Sequence, residues 1–382
     1  MRILFTFFLA GLLSFTFVSC KKYVEVQNSS EKSSKQTELK YAKGFTITDY
    51  GTYKELKVIN PWQNAKKTFK YAITNSKNKD NVFDKEKYDG VIELPLTNIV
   101  ATSTTHIPFL ELLNEENSLI GFPGCDYISS AKTRNNIKTD KITELGATDG
   151  MNTEVLLALQ PNAIITFGVD GTNKSLSAIK LAKIPIIYNG DWMEDSPLAK
   201  AEWIKFFGVL FNKEALASVT FEQIESDYLE AKKLALQASN SPTVMAGAMH
   251  KDVWYLPNGK SPEALFLNDA NANYLWKDTD GNGSLALSIE NVIEKAQNAD
   301  IWISPSYYSD YKSLGSASEH YDLFKPFKEK QIYSFTNTTG ETGGVLYYEL
   351  GVARPDLVLK DLIKICHPEL LSDYQTTFFK PF

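Results

Sequence analysis

The sequence predicts an α/β protein of two similar lobes with a ligand cleft between them. Its 382 residues exceed what a single hydrophobic core usually holds. The segment NTEVLLALQPNAIITFG at 152–168 is echoed by SIENVIEKAQNADIWIS at 288–304, and in both a Glu is followed eight residues later by Asn-Ala and an apolar run. Short apolar runs also alternate with helix-like stretches in both halves, which is typical of parallel sheets covered by helices.

The first residues, 1–20, are predicted to be a secretion signal. They hold one Arg and an apolar run too short for a membrane span. The ending Phe-Val-Ser-Cys resembles a bacterial lipobox, which predicts lipidation of Cys20 and a location in the periplasm or at the cell surface, anchored to a bacterial membrane. A signal cut elsewhere is the alternative. Residues 21–40 are polar and aperiodic, and we expect them to form a flexible tether.

Charge and cysteine content narrow the class of protein. The chain is 43% hydrophobic and 23% charged, as globular proteins are, and its net charge of −6 with no basic stripe argues against a nucleic-acid partner. Apart from Cys20 there are two cysteines, Cys125 and Cys366. We expect both to be small buried hydrophobic residues, and a disulfide between them is the alternative.

The N-terminal lobe is predicted to span residues 41–196. Its first segments, GFTITDYGTYKELKVIN and TFKYAITNS, alternate apolar and polar residues and predict an edge hairpin. The run IELPLTNIVATST predicts a buried strand and THIPFLELLNE the helix that follows it. SLIGFPG, AIITFG and IPIIYNG predict further strands of a parallel sheet.

Helices are predicted to connect the lobes over residues 197–240, where strand patterns stop. The stretch EALASVTFEQIESDYLEAKKLALQA has helical periodicity over about 25 residues, roughly 37 Å, and is long enough to brace two lobes. Strand and helix patterns then resume in TVMAGAM, DVWYLP, ADIWISP and QIYSFTN. Residues 241–382 are therefore predicted to form a C-terminal lobe on the plan of the first.

From about Val91 to its end the chain resembles the substrate-binding proteins of ABC importers for ferric siderophores, haem and cobalamin. The order of several segments carries the resemblance: TSTTH, LIGFPGCDYISS, ITELGATDGMNTEVLLALQPNAII, GDWMEDSPLAKAEWIKFFG, VWYLPNGKSPEALFLNDANANYLW, IENVIEKAQNADIWI and GVARPDLVLKDLIKICHPEL. It implies two Rossmann-like lobes joined by a long rigid helix. It also implies a monomeric receptor without catalysis or a cofactor of its own, which delivers a metal chelate to an ABC permease.

Two glutamates, Glu154 and Glu290, open the helices of the repeated segment. Each follows a capping residue, so each fits an acidic first turn that suits the helix dipole. The resemblance implies a second role, in which one Glu on each lobe docks on an arginine pocket of a two-fold symmetric permease. A pseudo-symmetric contact of this kind would explain why the chain repeats the motif.

Ligand contacts are expected after the strands, because ligands of open α/β sheets bind outside the carboxyl ends of the strands. The resemblance implies that Tyr127 stacks on the ligand or ligates its iron. Arginine is scarce outside the signal, which favours a corrin, haem or a weakly charged chelate over an anionic catecholate. The candidate contacts are Ser103, Thr104, His106, Tyr127, Phe167, Trp192, Trp254, Tyr307 and Asn337.

Two other classes of function compete with this interpretation. The four histidines have no ligand-type spacing, yet two lobes could bring His106 and His250 together as a receptor for a bare Zn, Mn or Fe ion. The sequence has no G-x-S-x-G, Walker or H-E-x-x-H motif. A haem- or corrin-processing activity in the cleft is the enzyme alternative that remains.

Overall fold

A computed structural model describes residues 34–75, 83–168, 174–308 and 310–382. The predicted signal, its Cys20 and most of the predicted tether lie outside these residues. Within them, no helix is both long enough and apolar enough to cross a bilayer.

The N-terminal strands form a sheet larger than the predicted hairpin. Its five strands are β1 (Lys35–Gln36), β2 (Phe45–Asp49), β3 (Tyr53–Ile59), β4 (Thr68–Asn75) and β5 (Gly90–Leu94). They pair in this order, antiparallel except for the parallel pair β4–β5. Phe45, Leu56 and Tyr71 are buried in the same core as the first lobe's central strands, so the sheet is an integral part of that lobe.

The ordered fold begins earlier than predicted. Strand β1 lies inside the segment assigned to the tether, and it pairs with β2. Glu202, buried on the connecting helices, accepts the backbone N–H groups of Lys40, Tyr41 and Ala42 at 2.9, 2.7 and 2.8 Å. The assignment of residues 34–40 to a flexible tether was therefore wrong, because β1, the Thr37 N–H on the Ile47 carbonyl at 2.9 Å and the Lys40 N–H on Glu202 attach this polar segment to the fold.

The first lobe contains a five-stranded sheet in which every pair is parallel. Its strands are β6 (Ile99–Ala101), β7 (Leu119–Phe122), β8 (Thr143–Glu144), β9 (Ala163–Phe167) and β10 (Ile186–Asn189), and its helices are α1 (His106–Leu112), α2 (Ala131–Lys138), α3 (Thr153–Leu159) and α4 (Lys174–Leu181). The order is β10-β9-β6-β7-β8. The run IELPLTNIVATST, predicted as one strand, is divided between β5 and β6 in two different sheets. Pro95, which has no N–H to donate, follows the last residue of β5.

The connecting segment is helical, as predicted. It consists of α5 (Pro197–Ala201), α6 (Ile204–Leu210) and α7 (Glu214–Ala235). Helix α7 has 22 residues, about 33 Å. Phe221 and Ile224 near its middle lie in the core of the first lobe, whereas Tyr228 and Ala235 lie in the core of the second. One continuous helix is therefore packed into both lobes, which opposes a wide hinge motion.

The second lobe contains a five-stranded sheet and a small antiparallel one. Its strands are β11 (Thr243–Ala246), β12 (Ala248–His250), β13 (Val253–Pro257), β14 (Asn273–Tyr274), β15 (Ser284–Leu287), β16 (Ile301–Ile303), β17 (Ile332–Ser334) and β18 (Lys380–Pro381). Its helices are α8 (Pro262–Asp269), α9 (Ile289–Ala296), α10 (Tyr311–Ala317), α11 (Lys325–Lys328), α12 (Leu346–Leu350) and α13 (Pro355–Cys366). The larger sheet has the order β14-β11-β16-β17-β18, with only β18 antiparallel, and the smaller one has the order β12-β13-β15.

The two lobes share a strand order. Four strands of the first lobe, β7-β6-β9-β10, correspond to β14-β11-β16-β17 of the second. Helix α3, which carries Glu154, precedes β9, and β9 pairs with β6. In the same way α9, which carries Glu290, precedes β16, and β16 pairs with β11. The repeated segment noted in the sequence is thus a repeat of structure, and the predicted α/β fold of two lobes is confirmed.

Both remaining cysteines are buried, free thiols. Cys125 lies in the core of the first lobe and Cys366 in the core of the second. Burial raises the pKa of each thiol to about 12, so both stay protonated at neutral pH. They behave as the small hydrophobic residues that the sequence predicted.

Candidate functional site

A cleft lies where the carboxyl ends of the two parallel sheets meet. Its first part has a volume of about 520 Å³ and takes walls from both lobes. Ser103, Thr104, Tyr127 and Phe167 come from the first lobe and Tyr307 from the second. These five residues follow or lie near the ends of β6, β7, β9 and β16, as the strand-end rule predicts.

The cleft continues into two further parts. Tyr307 and Tyr348 line both the first part and a second part of about 680 Å³. Glu263 and Asn282 line the second part and also a third of about 410 Å³, to which the first lobe contributes Trp192. The shared residues make the three parts one depression large enough for a bulky ligand.

Exposed aromatic side chains converge on this cleft. Within the described ranges, every aromatic residue classed as exposed lines one of its three parts: Tyr127, Trp192, Tyr255, Tyr307 and Tyr348. Tyr127 and Tyr307 are the most exposed of them, at 72% and 78%. Large exposed aromatic residues gathered in one concave site mark a binding surface, because their faces remain unburied until a ligand covers them.

The cleft carries little positive charge. Of the described residues that line its three parts, Lys200 is the one Lys or Arg, and it lies in the third part. Acidic residues there are Glu194, Asp195 and Glu263. The first part of the cleft has no Lys, Arg, Asp or Glu among its described residues. Such walls do not compensate the charge of a polyanionic ligand.

Six of the candidate contacts from the sequence lie in the cleft. They are Ser103, Thr104, Tyr127, Phe167, Trp192 and Tyr307. Their part in binding stays a prediction, but the structure brings side chains that are up to about 200 residues apart in sequence to one site. His250 is exposed and also lines the second part of the cleft.

His106 was wrongly predicted as a contact. It is the first residue of α1, and its fully buried ring packs on Phe207 with 5.6 Å between ring centroids. Burial lowers its pKa to about 3, so the ring is neutral, and neither ring nitrogen has a hydrogen-bond partner among the described residues. The start of α1 turns the chain inward within two residues of Thr104, which the strand-end rule does not anticipate.

Trp254 was also wrongly predicted as a contact. It is fully buried and stacks on Trp302 with 5.4 Å between ring centroids, and its Nε1 donates to the carbonyl of Ala246 at 3.0 Å. It lies on β13, a strand of the antiparallel sheet, so the rule for parallel strand ends does not apply to it. Asn337 is half-buried and is not among the residues that line the three parts of the cleft.

Several residues of the cleft were not predicted from the sequence. Tyr348 and the loop 343–345 line its first part, and Tyr255 and Glu263 line its second. Tyr255 lies on an antiparallel strand and Tyr348 on a helix, so neither follows a strand of the parallel sheets. The glycine-rich stretch TTGETGG before Tyr348 was the one available signal of a special backbone path.

A segment of the second lobe crosses to the first lobe at the base of the cleft. This crossing segment, residues 338–350, follows β17 and ends with α12. The Ser129 hydroxyl donates to the carbonyl of Gly344 and the Thr342 hydroxyl to that of Asp126, each at 2.8 Å. A Cβ on Gly344 would lie 2.2 Å from the Tyr127 carbonyl oxygen, so only glycine permits this approach. The segment therefore fixes the loop that carries Tyr127.

Two carboxylates of the crossing segment strengthen this contact. Glu349 is buried, and its oxygens accept the backbone N–H groups of Ser129 and Ser130 at 2.7 and 2.8 Å. Burial raises the pKa of Glu349 to about 7. Glu341, which is exposed, pairs with Arg134 at 3.2 Å and with Lys138 at 2.7 Å. The lobes are thus joined by directional bonds as well as by helix α7.

The glutamates predicted to dock a permease occupy equivalent positions. Glu154 and Glu290 are each the second residue of their helix, and both are exposed. The caps Asn152 and Ser288 accept a first-turn backbone N–H at 3.1 and 3.4 Å. The Ser288 hydroxyl also donates to Glu290 and holds the pKa of that carboxyl below its usual 4.5. Each lobe therefore presents one exposed carboxylate at the same point of its fold.

The described part of the chain contains no group of three or more His, Cys, Asp and Glu residues arranged to hold a metal ion. His106, one of the two histidines that the metal-receptor alternative requires, is buried in the core of the first lobe.

Two equivalent α/β lobes, one long helix packed into both and an aromatic cleft between them define a two-lobed solute-binding protein. Residues 99–313, more than half of the chain, match the family described as periplasmic binding protein, and the chain belongs to that family. The family resemblance found in the sequence is thereby confirmed.

The chain is also similar to one curated protein and to solved structures of this fold. The chain is 28% identical over 365 residues to an uncharacterized lipoprotein of Methanocaldococcus jannaschii, covering 89% of this chain and 84% of that one. The fold is similar to that of a possible iron-binding, periplasmic solute-binding protein of Staphylococcus epidermidis, with a TM-score of 0.56, 18% identity and coverage of 71% and 99%. It is also similar to the periplasmic haem-binding protein of Vibrio cholerae, with a TM-score of 0.54, 14% identity and coverage of 69% and 98%.

Proposed function

We infer that this protein is an extracytoplasmic receptor that binds a bulky metal chelate in the cleft and delivers it to an ABC import permease. The observation that carries this inference is the convergence of all exposed aromatic residues of the described chain on one cleft. Four of these residues, Tyr127, Tyr255, Tyr307 and Tyr348, combine a large apolar face with a hydroxyl that donates and accepts. Binding without turnover agrees with membership of a family of binding proteins.

The charges of the cleft favour an uncharged or weakly charged chelate. A ferric tris-catecholate carries several negative charges, and burying them without basic partners is unfavourable. The first part of the cleft offers hydroxyls and aromatic rings instead. Cobalamin and ferric hydroxamates suit such walls better than catecholates or the two propionates of haem. The relatives reported as iron- and haem-binding support the broader class of ligand.

Delivery is proposed to use the carboxylates of Glu154 and Glu290, one on each lobe. Their equivalent positions suit a partner with two-fold symmetry, and carboxylate-to-arginine contacts favour fast, oriented encounter. Lipidation of Cys20 would keep the receptor at the membrane beside its permease. The lipobox supports this anchor, and so does the name lipoprotein carried by the archaeal relative.

Ligand titration tests this function. The purified protein is titrated with cyanocobalamin, haemin, a ferric hydroxamate, a ferric catecholate, Fe³⁺ and Zn²⁺, with tryptophan emission and calorimetry as readouts. Trp192 lines the cleft, so a chromophoric ligand there should quench its emission. We expect an uncharged chelate to bind with a Kd in the micromolar range or tighter, about −8 kcal/mol or better. Binding of bare metal ions alone would reject the proposal in favour of a metal receptor.

A further inference from the structure

The second lobe contains an apolar chamber of about 160 Å³ behind the cleft. Six apolar side chains that are all buried form much of its wall: Phe266, Leu267, Ile303, Val358, Leu362 and Phe379. They come from helices α8 and α13, from β16 and from the segment before β18. Well-packed interiors contain few voids larger than a water molecule. A space of this size behind a binding cleft is therefore a candidate binding site.

The chamber opens toward the cleft. Five of its lining residues, Gly247, Pro257, Glu263, Ser304 and Phe335, also line the second part of the cleft. Glu263 is exposed, which places it at the mouth. Phe335 lines both the chamber and the second part of the cleft. Its ring stacks on Tyr347, with 4.1 Å between ring centroids and 13° between ring planes.

The back of this opening is held by two buried tryptophans. The indole N–H of Trp254 donates to the carbonyl of Ala246 at 3.0 Å, and that of Trp302 donates to the carbonyl of Gly247 at 2.8 Å. A Cβ on Gly247 would lie 1.9 Å from the Tyr255 carbonyl oxygen, so a larger residue would displace the backbone here. Two indole hydrogen bonds therefore hold the backbone at the entrance of the chamber.

The chemistry of the chamber selects an apolar occupant. A buried water needs two to four polar partners, and the six wall side chains named above offer none. Apolar cavities of about 150 Å³ stay dry and accept a molecule the size of benzene. A phenyl group or a short branched alkyl group matches both the volume and the walls.

We propose that this chamber is a subsite for an apolar arm of the ligand that the cleft binds. The chelate head would lie among the tyrosines of the cleft, and a phenyl-sized or branched alkyl arm would pass Phe335 into the second lobe. This inference rests on the proposed function, since it assigns one group of the same ligand. The chamber would make the receptor selective among chelates, because a ligand without such an arm leaves the chamber unfilled.

Benzene binding tests the chamber without any chelate. Benzene is titrated into the purified protein and followed by calorimetry. Val358→Phe fills the chamber, and Val219→Phe on the exposed face of α7 makes the same change away from it. Leu267→Phe replaces the first variant if Val358→Phe does not fold. We expect one benzene per protein in the wild type and in Val219→Phe, and at least tenfold weaker binding in the filled variant. No saturable binding, or equal binding in all three proteins, would overturn the proposal.

A pair of chelates tests the role of the chamber as a subsite. The ferric complexes of benzohydroxamic and acetohydroxamic acid differ by a phenyl group in place of a methyl group. We expect the phenyl complex to bind at least tenfold tighter, and Val358→Phe to remove this preference. If benzene binds but the preference is absent or survives in Val358→Phe, the chamber does not receive the ligand's arm. If no chelate in the larger panel binds, the proposed function fails while the benzene result still decides whether the chamber accepts an apolar group.

Discussion

Replacing Glu349 by Gln is expected to change the pH dependence of stability. The side chain is 2% exposed, and both its oxygens accept N–H groups of the other lobe. Burial, with the nearby carboxylate of Glu111 as a weaker cause, raises its pKa from the usual 4.5 to about 7. The folded protein therefore binds this proton more tightly than the unfolded chain does. The resulting stability is present below about pH 4.5 and is lost as the pH rises through about 7.

The size of the effect follows from the two pKa values. At about 1.4 kcal/mol for each pH unit between them, the loss over the full titration is about 3.5 kcal/mol. Other groups also titrate in this range, so the informative quantity is the difference between wild type and variant. The free energy of unfolding of the wild type minus that of Glu349→Gln should fall by about 3 kcal/mol between pH 4.5 and 8.

Urea unfolding at intervals from pH 4 to 8 measures this difference. Glu341→Gln is the matched control, because it removes a carboxylate from the same crossing segment but from an exposed site. The pKa of Glu341 is held low by its hydrogen bonds with Lys138 and Arg134, so its variant should show no fall of this kind. A difference for Glu349→Gln that is constant, or that grows with pH, would refute the reasoning. It would mean that the two N–H groups favour the carboxylate more than burial opposes it.

Three further predictions concern residues outside the cleft. His106→Phe should raise the free energy of unfolding by about 1 kcal/mol, because the buried ring nitrogens have no hydrogen-bond partner in the part of the chain that the structure describes, and a large loss of stability in urea would contradict this. Glu154→Lys combined with Glu290→Lys should abolish uptake of the ligand by cells while leaving the Kd of the purified receptor within about twofold. Normal uptake would mean that both glutamates only stabilise the first turns of their helices. Cys20→Ala should prevent lipidation and release the protein from the membrane fraction or leave it as precursor, whereas a soluble wild type beginning elsewhere would contradict the anchor.

Sequence periodicity predicted much of the architecture because it reflects burial. The repeated Glu-to-Asn-Ala spacing identified two helices, α3 and α9, that the structure places at equivalent points of the two lobes. The helical periodicity of α7 correctly predicted a helix that connects the lobes. The predicted helix was three residues too long at its C-terminal end. The N-terminal sheet was underestimated, since pairing between β4 and β5 joins segments whose separation in sequence hides their contact.

The cleft was predicted only where a simple rule of topology applies. Ser103 and Tyr307 follow strands of the parallel sheets, Phe167 is the last residue of such a strand, and all three lie in the cleft. Trp254 lies on an antiparallel strand, and His106 starts a helix that turns inward, so strand position misled in both cases. Tyr348 reaches the cleft through a segment that crosses between lobes, a path set by tertiary contacts such as Glu349 with Ser129. No local pattern encodes a contact between residues 220 positions apart.

The central claim is that one ligand is held by both lobes at once, and parallel variants of the two most exposed cleft tyrosines test it most directly. Tyr127→Ala changes the first lobe and Tyr307→Ala the second. Calorimetry with the chelate that binds the wild type should show each variant to be weaker by about 1 to 3 kcal/mol, roughly 5- to 150-fold in Kd, for the loss of an aromatic contact and its hydrogen bond. Unchanged affinity in either variant would contradict a ligand held between the lobes.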